Sequence, residues 1–261
     1  MMLPAQRQQQ ILEDIKKNGV GSIAELSHKY AVSEMTVRRD LLVLEEEGHI
    51  KRTHGGALLL NTSLVEPRYV AKQKLHASSK ESLARYAAEK LVAVGDIIIL
   101  EGGTTITAMA QHLTNIQNLT VVTNGLYTTS ALQPLVPQST VICTGGILRE
   151  VSATFVGPVA ERFFREFHAN KLFLSATGLT LDVGFTDPSM LETQIKKAMI
   201  ASADQVIMLL DSNKFGVKSL STVLEAGEVN ILVTDAGSPE DVLQALRAKG
   251  VEVHIVSDEK R

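Results

Sequence analysis

Seven short runs rich in valine, isoleucine and leucine mark the chain from about residue 81 onward, and helix-sized segments separate them. The runs are DIIIL, LTVVT, TVIC, KLFLS, QVIMLL, NILVT and VEVHIV. They are almost continuously apolar, as strands are when helices cover both faces of a parallel sheet. The pattern therefore predicts an α/β fold, in which a doubly wound and mostly parallel sheet of seven strands carries helices on both sides.

The first 60 residues follow a different, helical pattern. Ser22 and Glu25 have the spacing of a capping box at the start of a helix. Ser33 is a suitable N-cap for a third helix, which we expect to run to about Glu47 and to stop at Gly48.

The change of pattern divides the chain into three parts. We expect an N-terminal domain at residues 1–60, a linker of mixed composition at 61–80 and the α/β domain at 81–257. With 44% hydrophobic residues, the 261-residue chain can bury a core in each domain. A single cysteine excludes a disulfide framework, and no apolar run is long enough to span a membrane, so we expect a cytoplasmic protein without a membrane partner.

The third helix has one narrow apolar face on a helical wheel, formed by Val37, Leu41 and Leu44. Arg38 and Arg39 fall on the opposite side. Two short helices, a tight turn and a third helix that exposes arginines near its N-terminus describe a helix-turn-helix, whose second helix of the pair enters the major groove of DNA. The segment HIKRTHGGALLL then fits a β-hairpin wing. The residues predicted to contact DNA are Ser33, Met35, Thr36, Arg38, Arg39, Lys51, Arg52 and His54.

Two observations weigh against a DNA-binding surface. A pair of neighbouring arginines is also common on an ordinary solvated helix face. In addition, residues 1–60 contain eight Lys and Arg and eight Asp and Glu, so the domain carries no net charge. We expect the acidic run at 45–47 to point away from DNA and a single copy to bind weakly, so that the protein works as a homo-oligomer, either a dimer or a tetramer.

The segment VSEMTVRRDLLVLEEEGHIKRTHGGA resembles the winged helix-turn-helix of DeoR-family bacterial transcription regulators, whose pattern is roughly S-x-x-T-x-R-R-D-L-x-x-L followed by G-x-I-x-R-x-H-G-G-A. The matching residues are Ser33, Thr36, Arg38, Arg39, Asp40, Leu41, Leu44, Gly48, Ile50, Arg52, His54, Gly55, Gly56 and Ala57. The resemblance continues over nearly the whole chain. It implies a repressor of a carbohydrate-utilisation operon that binds a double-stranded DNA operator. It also implies a sensor domain similar in fold to ribose-5-phosphate isomerase, where a phosphorylated sugar binds and releases the operator.

Small, hydroxylated or amide residues follow the predicted strands, at the edge where ligands of open α/β sheets bind. The first loop, at 102–105, suits a phosphate because its glycine N–H groups, its hydroxyls and the following helix N-terminus favour an anion. Loop glycines are as often purely structural. Where the family usually has Asp-x-Gly-Thr-Thr, this chain has Glu101 and then Gly102, so the wall of the pocket is expected to differ. The residues predicted to bind the effector are Glu101, Gly102, Gly103, Thr104, Thr105, Thr123, Asn124, Gly145, Gly146, Gly178, Lys196, Asp211 and Lys214.

A sugar-phosphate isomerase with an added DNA-binding domain is the alternative. Aldose–ketose isomerisation needs a general base beside the substrate carbon. In the isomerases that this domain resembles, a glutamate on the helix before the D-x-S-K strand supplies it, whereas here Lys196 stands at that place and the loop SATGLTLD has no acid before Asp182. Glu192, one helical turn away, keeps this alternative open. A redox sensor that binds a nicotinamide cofactor is a third class, but the chain lacks its glycine fingerprint.

Neither a metal nor another cofactor is predicted. The seven histidines are scattered, and even His49 and His54 do not form a ligand constellation. Cys143, within TVICTGG, is expected to be a buried small side chain rather than a redox group.

Overall fold

The computed structural model describes most of the 261-residue chain, at positions 3–18, 20–46, 49–53, 55–59 and 66–257. The chain forms two compact units, which meet in sequence between Leu75 and His76. No helix in the described part of the chain is long and apolar enough to cross a membrane.

Four helices and three short strands make up the described part of the N-terminal unit. They are α1 Pro4–Asn18, β1 Val20–Ser22, α2 Ile23–Tyr30, α3 Glu34–Glu46, β2 Ile50–Arg52, β3 Gly56–Leu59 and α4 Tyr69–Lys74. The strands pair antiparallel in the order β1-β3-β2. Strands β2 and β3 are the predicted wing, and β1 adds a third strand that the sequence pattern did not predict.

Strand β1 approaches β3 most closely at Gly56. A Cβ atom on Gly56 would lie 2.1 Å from the carbonyl oxygen of Gly21, which is far too close for any real contact. A Cβ atom on the neighbouring Gly55 would meet nothing within 4 Å. The second glycine of the wing motif is therefore required by strand packing.

Capping residues determine the helix boundaries in this unit. The hydroxyls of Ser22 and Ser33 each accept a hydrogen bond from the backbone N–H three residues later, at 3.2 Å in both cases. Both predicted N-caps are confirmed. Ala31 ends α2 in the left-handed region, with φ of 50°, and so makes the tight turn before α3. The structure describes α3 as far as Glu46, and its predicted stop at Gly48 lies outside the described residues.

The C-terminal unit contains, within its described residues, helices α5 to α10 and strands β4 to β15. They are α5 Ala77–Leu91, β4 Ile97–Leu100, α6 Thr104–Ala110, β5 Thr120–Thr123, α7 Leu126–Ala131, β6 Thr140–Cys143, β7 Ile147–Arg149, β8 Thr154–Val156, α8 Pro158–Arg165, β9 Ala169–Leu174, β10 Gly178–Thr180, β11 Gly184–Asp187, α9 Met190–Ala201, β12 Ala203–Leu209, β13 Ser221–Leu224, β14 Ile231–Asp235, α10 Glu240–Ala248 and β15 Glu252–Val256. All seven predicted runs are confirmed as strands of one parallel sheet, in the order β6-β5-β4-β9-β12-β14-β15.

This strand order makes the sheet doubly wound, as predicted. The chain builds from β4 outward to β6, returns to place β9 beside β4, and then continues outward to β15. Ile98 and Leu100 pack in one core with α5 and α6, whereas Ile99 packs in a second core with α8, α9 and α10. Because the winding direction reverses between β4 and β9, a ligand crevice is expected at the carboxyl ends of these two strands.

Several features depart from the sequence-based expectations. The hairpin of β7 and β8 and the antiparallel sheet β10-β11-β13 were not predicted. Cys143 is exposed rather than buried, because β6 is an edge strand of the main sheet. The described part of the predicted linker, at 66–80, contains α4 and the first residues of α5.

Candidate functional site

Helix α3 presents the predicted arginines to solvent. Val37 and Leu41 are fully buried, as the helical wheel predicted. Arg38 and Arg39 are exposed, and Arg38 makes only a loose pair with Glu34, in which Nη2 lies 3.9 Å from Oε2. Both guanidinium groups are therefore accessible to a ligand outside the unit.

The other predicted contacts of α3 differ in how accessible they are. The Met35 side chain is 61% exposed. The hydroxyl of Thr36 lies 2.9 Å from that of Ser33, whose oxygen also caps the helix. The two hydroxyls thus stabilise the helix start, whereas the Met35 side chain is exposed to solvent.

An ion pair connects the wing to the last turn of α3. Arg52 Nε lies 2.6 Å from Glu45 Oε2, and the Arg52 backbone N–H donates to Glu45 Oε1 at 2.8 Å. Burial alone would raise the pKa of Glu45, but these bonds lower it below its ordinary value. Lys51 is exposed on the same strand, and His54 lies outside the described residues. Glu45, expected to belong to a run that points away from DNA, therefore contacts the wing.

Polar side chains meet at the carboxyl ends of β4 and β9. Lys196 Nζ donates to the Ser175 carbonyl at 2.7 Å and to Asp187 Oδ2 at 2.6 Å, and it lies 3.4 Å from Glu101 Oε1. Ser175 Oγ donates to Glu101 Oε2 at 2.9 Å. These four residues, called the switch-point cluster below, join α9 and β11 to the crevice between the two strands.

The switch-point cluster contains two buried carboxylates, of Glu101 and Asp187, and one buried ammonium. Burial alone would lower the pKa of Lys196, but the charges of Asp187, Glu101 and Glu192 raise it above its ordinary value. The Lys196 side chain is therefore protonated at neutral pH. A protonated lysine cannot accept a proton as a general base, but it can orient carboxylates that accept hydrogen bonds from a ligand.

The glycines after β4 permit close packing of the backbone. The Gly102 N–H already donates to Asn124 Oδ1 at 3.0 Å, and a Cβ atom on Gly102 would lie 2.8 Å from the Cα atom of Gly125. A Cβ atom on Gly103 would lie 2.5 Å from Ser175 Oγ. Packing explains these two glycines, and the N–H of Gly102 is engaged within the protein.

The remaining predicted residues of the first three loops lie at the same edge of the sheet. Thr104 and Thr105 are buried in the first turn of α6, and Thr123 is buried at the end of β5. Gly145 and Gly146 follow β6 with φ of 64° and 115°, which favour glycine.

Asp211 and Lys214 follow β12. Asp211 is buried, and its Oδ1 accepts hydrogen bonds from the N–H of Asn213 at 3.2 Å and from its Nδ2 at 3.1 Å. Lys214 is half-buried in a short 3₁₀ turn. Asn213 Nδ2 also lies 3.1 Å from Nδ1 of His76, the first residue of the C-terminal unit. A Cβ atom on Gly178 would lie 2.2 Å from a backbone oxygen of the segment after this turn, so Gly178 also serves packing.

Glu192 joins α9 to the β7–β8 hairpin. Its buried carboxylate accepts hydrogen bonds from Arg149 Nη1 at 2.8 Å, from Ser152 Oγ at 2.7 Å and from Thr154 Oγ1. The sequence left Glu192 as a candidate general base. In the structure, these three donors hold the carboxylate in place.

Five residues of this region were missed by the sequence analysis: Ser175, Asp187, Arg149, Ser152 and Thr154. Ser175 carried a usable signal, since it is the polar residue at the end of the run KLFLS, whereas Asp187 ends β11, which no run predicted. The hairpin residues carried none, because β7 and β8 are too short to show a period. No three His, Cys, Asp or Glu side chains of the described residues group closely enough to hold a metal ion.

A winged helix-turn-helix and a doubly wound domain with a polar crevice, combined in one chain, define a DNA-binding regulator that carries its own sensor domain. The DeoR-like helix-turn-helix domain matches residues 7–63, and the DeoR C terminal sensor domain matches residues 75–236. The chain belongs to the DeoR family of transcription regulators, as the sequence motif implied.

Two curated relatives match the chain over all or nearly all of its length. The HTH-type transcriptional regulator YulB of Bacillus subtilis (strain 168) is 38% identical over 260 residues, which cover 100% of both chains. The transcriptional repressor AccR of Agrobacterium fabrum is 32% identical over 249 residues, which cover 94% of this chain and 96% of AccR. Among solved structures, ribose 5-phosphate isomerase from Plasmodium falciparum matches with a TM-score of 0.38 and 13% identity over 52% of each chain. A superposition this loose carries no argument about function.

Proposed function

We propose that the protein represses a carbohydrate-utilisation operon and leaves its operator when a phosphorylated sugar binds to the sensor domain. The observation that carries this proposal is the switch-point cluster, which buries Glu101, Asp187 and Lys196 at the edge where ligands of doubly wound sheets bind. Burying three charges is costly, and a ligand that needs them gives a reason for keeping them there. A family relative named as a transcriptional repressor supports the sign of the regulation.

The operator contacts are assigned to α3 and the wing. Arg38 and Arg39 are the exposed cations near the start of α3, where side chains reach base edges in a helix-turn-helix. Arginine can bind guanine or phosphate with two parallel hydrogen bonds. Lys51, Arg52 and His54 are assigned to phosphates beside the groove, where they position the protein and carry no sequence information.

The effector contacts are divided by chemistry. Carboxylates accept hydrogen bonds from hydroxyls, so Glu101 and Asp187 are assigned to the sugar. The phosphate is assigned to Thr104, Thr105 and Lys214, because hydroxyls and an ammonium donate to phosphate oxygens. Lys196 is assigned to orient the carboxylates, since its ammonium is already bonded to Asp187 and Ser175.

No catalytic turnover is part of this proposal. An isomerase needs a base that can take a proton from carbon, and Glu192 is held by three donors on the hairpin. The resemblance to the isomerases implies that Lys196 takes the place of their glutamate, and its raised pKa keeps it protonated. Both observations favour a sensor over an enzyme.

Self-association and a cytoplasmic location complete the proposal. Helix-turn-helix proteins commonly read two half-sites as dimers, and the neutral charge balance of residues 1–60 leaves a single copy with little general affinity for DNA. We therefore assign a dimer or tetramer. A regulator of an operon has to reach the chromosome, which lies in the cytoplasm.

DNA binding to the upstream region of the gene tests the proposal. Purified protein is titrated into a labelled duplex of that region and into an unrelated duplex at the same salt concentration. The preformed specific complex is then titrated with a panel of pentose and hexose phosphates and with the corresponding unphosphorylated sugars. We expect preference for the upstream duplex and release by one phosphorylated sugar. Equal affinity for both duplexes would contradict the DNA-binding assignment, and release by an unphosphorylated sugar would contradict the phosphate site.

A further inference from the structure

Arg7 and Asp40 form a buried ion pair between α1 and α3. Arg7 Nε donates to Asp40 Oδ2 at 2.6 Å, and Arg7 Nη2 donates to Asp40 Oδ1 at 3.2 Å. Gln8 Nε2 adds a third bond, to Asp40 Oδ1 at 3.0 Å. Arg7 is 7% exposed and Asp40 3%. Asp40 directly follows Arg39 in α3, so this ion pair holds the helix at the position next to the two exposed arginines.

Stability gives no reason for this pair. Removing two charges from water costs about as much as their attraction returns, and apolar replacements of similar size often leave stability unchanged or raise it. The rest of the core between these helices is aliphatic and includes Ile11, Ile15 and Leu41. Contacts of that kind turn the apolar face of α3 toward the core, but because they are non-directional they fix the rotation of the helix less sharply than hydrogen bonds of defined geometry do.

The ion pair fixes the rotation of α3 more sharply than the aliphatic contacts do. An arginine bonded to both carboxylate oxygens fixes distance and orientation together, because the guanidinium is a planar fork. Side chains of an α-helix are about 100° apart per residue, so fixing Asp40 fixes the directions in which Arg39 and Arg38 leave the helix.

We propose that Arg7 and Asp40 are positioning residues for operator recognition, whose ion pair fixes the rotation of α3 so that Arg38 and Arg39 face the base edges. The inference rests on the proposed function, since it requires that α3 reads the operator. It adds Arg7 of α1, which lies outside the helix-turn-helix formed by α2 and α3, to the residues that determine which DNA sequence the protein prefers.

The test is the double variant Arg7→Met/Asp40→Leu, which replaces the pair with apolar side chains of similar size. Two quantities are measured, the melting temperature and the ratio of affinities for the upstream duplex and an unrelated duplex at one salt concentration. We expect a melting temperature at or above that of the wild type and unchanged affinity for the unrelated duplex. The affinity ratio should fall about tenfold to a hundredfold, as the loss of one base contact requires.

Two further variants separate positioning from general loosening. Lys29→Met removes another 2.6 Å ion pair of α1, which joins Asp14 to α2 rather than to α3, and it should leave the ratio unchanged. Arg7→Lys keeps the charge without the fork and should give an intermediate ratio at a melting temperature near the wild type.

Each outcome decides the inference. A wild-type ratio in the double variant would overturn it, as would an equal loss in Lys29→Met. If the double variant melts below the wild type, Arg7→Lys decides, and an unchanged ratio in that variant overturns the inference. A wild-type protein that prefers no duplex would overturn the proposed function itself, and this inference with it.

Discussion

Exposure decides which basic residues of the N-terminal unit can meet DNA. Arg7 is buried in an ion pair, whereas Arg52 stays exposed on the wing although it is bonded to a carboxylate at 2.6 Å. Arg38 and Arg39 are exposed on α3. A count of charges over residues 1–60 gives a neutral domain, but the count does not show that two cations share one accessible helix face. The arginine pair could be predicted because its spacing from the apolar face is visible in the sequence.

Replacing Arg38 or Arg39 with alanine should weaken operator binding by about 1–3 kcal/mol, because each substitution removes a charge-assisted contact to DNA. The melting temperature should not change, since both side chains are exposed. Fluorescence anisotropy of the labelled upstream duplex measures the loss. Arg247→Ala, at an exposed arginine of α10, is the matched control. Wild-type affinity in a folded Arg38→Ala/Arg39→Ala variant would show that α3 is not the recognition helix.

Removing the ammonium of Lys214 should weaken effector binding about tenfold to a hundredfold, since a charge-assisted hydrogen bond contributes roughly 1.5–3 kcal/mol. DNA affinity without effector should stay the same. The Lys214→Met protein should therefore remain on DNA at effector concentrations that release the wild type.

The measurement is an effector titration of the preformed complex, with equal melting temperatures checked first. Lys218→Met is the control, because Lys218 lies four residues further on, is exposed and makes only a loose 3.7 Å pair with Asp182. Release of Lys214→Met at the wild-type effector concentration would exclude Lys214 from the phosphate site.

The length of each element explains how much of the fold could be predicted. Strands of the main sheet are buried on both faces, so they leave long apolar runs in the sequence, and all seven were found. Strands β1, β7, β8 and β10 have three residues each and exist because a partner strand lies beside them. The sequence of three residues alone does not specify such a strand, because only the tertiary fold brings its partner strand beside it.

How much of the candidate site could be predicted depends in the same way on which strands carry its residues. The location of residues directly after predicted strands, such as Glu101 and Asn124, could be predicted because parallel strands end at one edge of the sheet. Asp187 was missed because it ends β11, a strand outside the main sheet. The bonds that hold Lys196 depend on that unpredicted strand, so its role as an orienting group could not be derived from the sequence.

Gly56→Ala should destabilise the N-terminal unit by about 1–3 kcal/mol, as overpacking between two backbones does. The added methyl group would meet the Gly21 carbonyl oxygen at 2.1 Å, so β1 has to move away from β3. Thermal unfolding of the whole chain, followed by circular dichroism, measures the change. Gly55→Ala places its methyl group in open space and should have little effect. Equal melting temperatures for the two variants would contradict the close approach of β1 and β3.

At the scale of the whole molecule, DNA reading and ligand sensing lie in two units of one chain. The change from helical to alternating pattern predicted domains at 1–60 and 81–257 with a linker between them, and the two compact units meet between Leu75 and His76. Coupling between two such sites is commonly about 1–3 kcal/mol, which corresponds to a change in operator affinity of roughly 5-fold to 150-fold. Under the proposed function, the C-terminal unit needs binding energy from its ligand and no turnover.

Purified protein should accordingly leave pentose and hexose phosphates unchanged over hours. The physical reason is that Lys196 is protonated and so cannot accept a proton from carbon, while the Glu192 carboxylate is held by hydrogen-bond donors of the β7–β8 hairpin. Nuclear magnetic resonance of the sugar phosphates detects any conversion. A conversion that disappears in Glu192→Gln would contradict the sensor assignment and favour the isomerase alternative.

The exposed edge strand β6 has a practical consequence. Its last residue, Cys143, is the single cysteine of the chain and is exposed, and it lies two residues before Gly145 of the proposed effector edge. A thiol-reactive fluorophore would therefore attach at one known position per subunit, without any engineered substitution. The protein thus offers one labelling position next to the proposed effector site. Binding of candidate metabolites can then be followed by a change in the emission of the attached fluorophore.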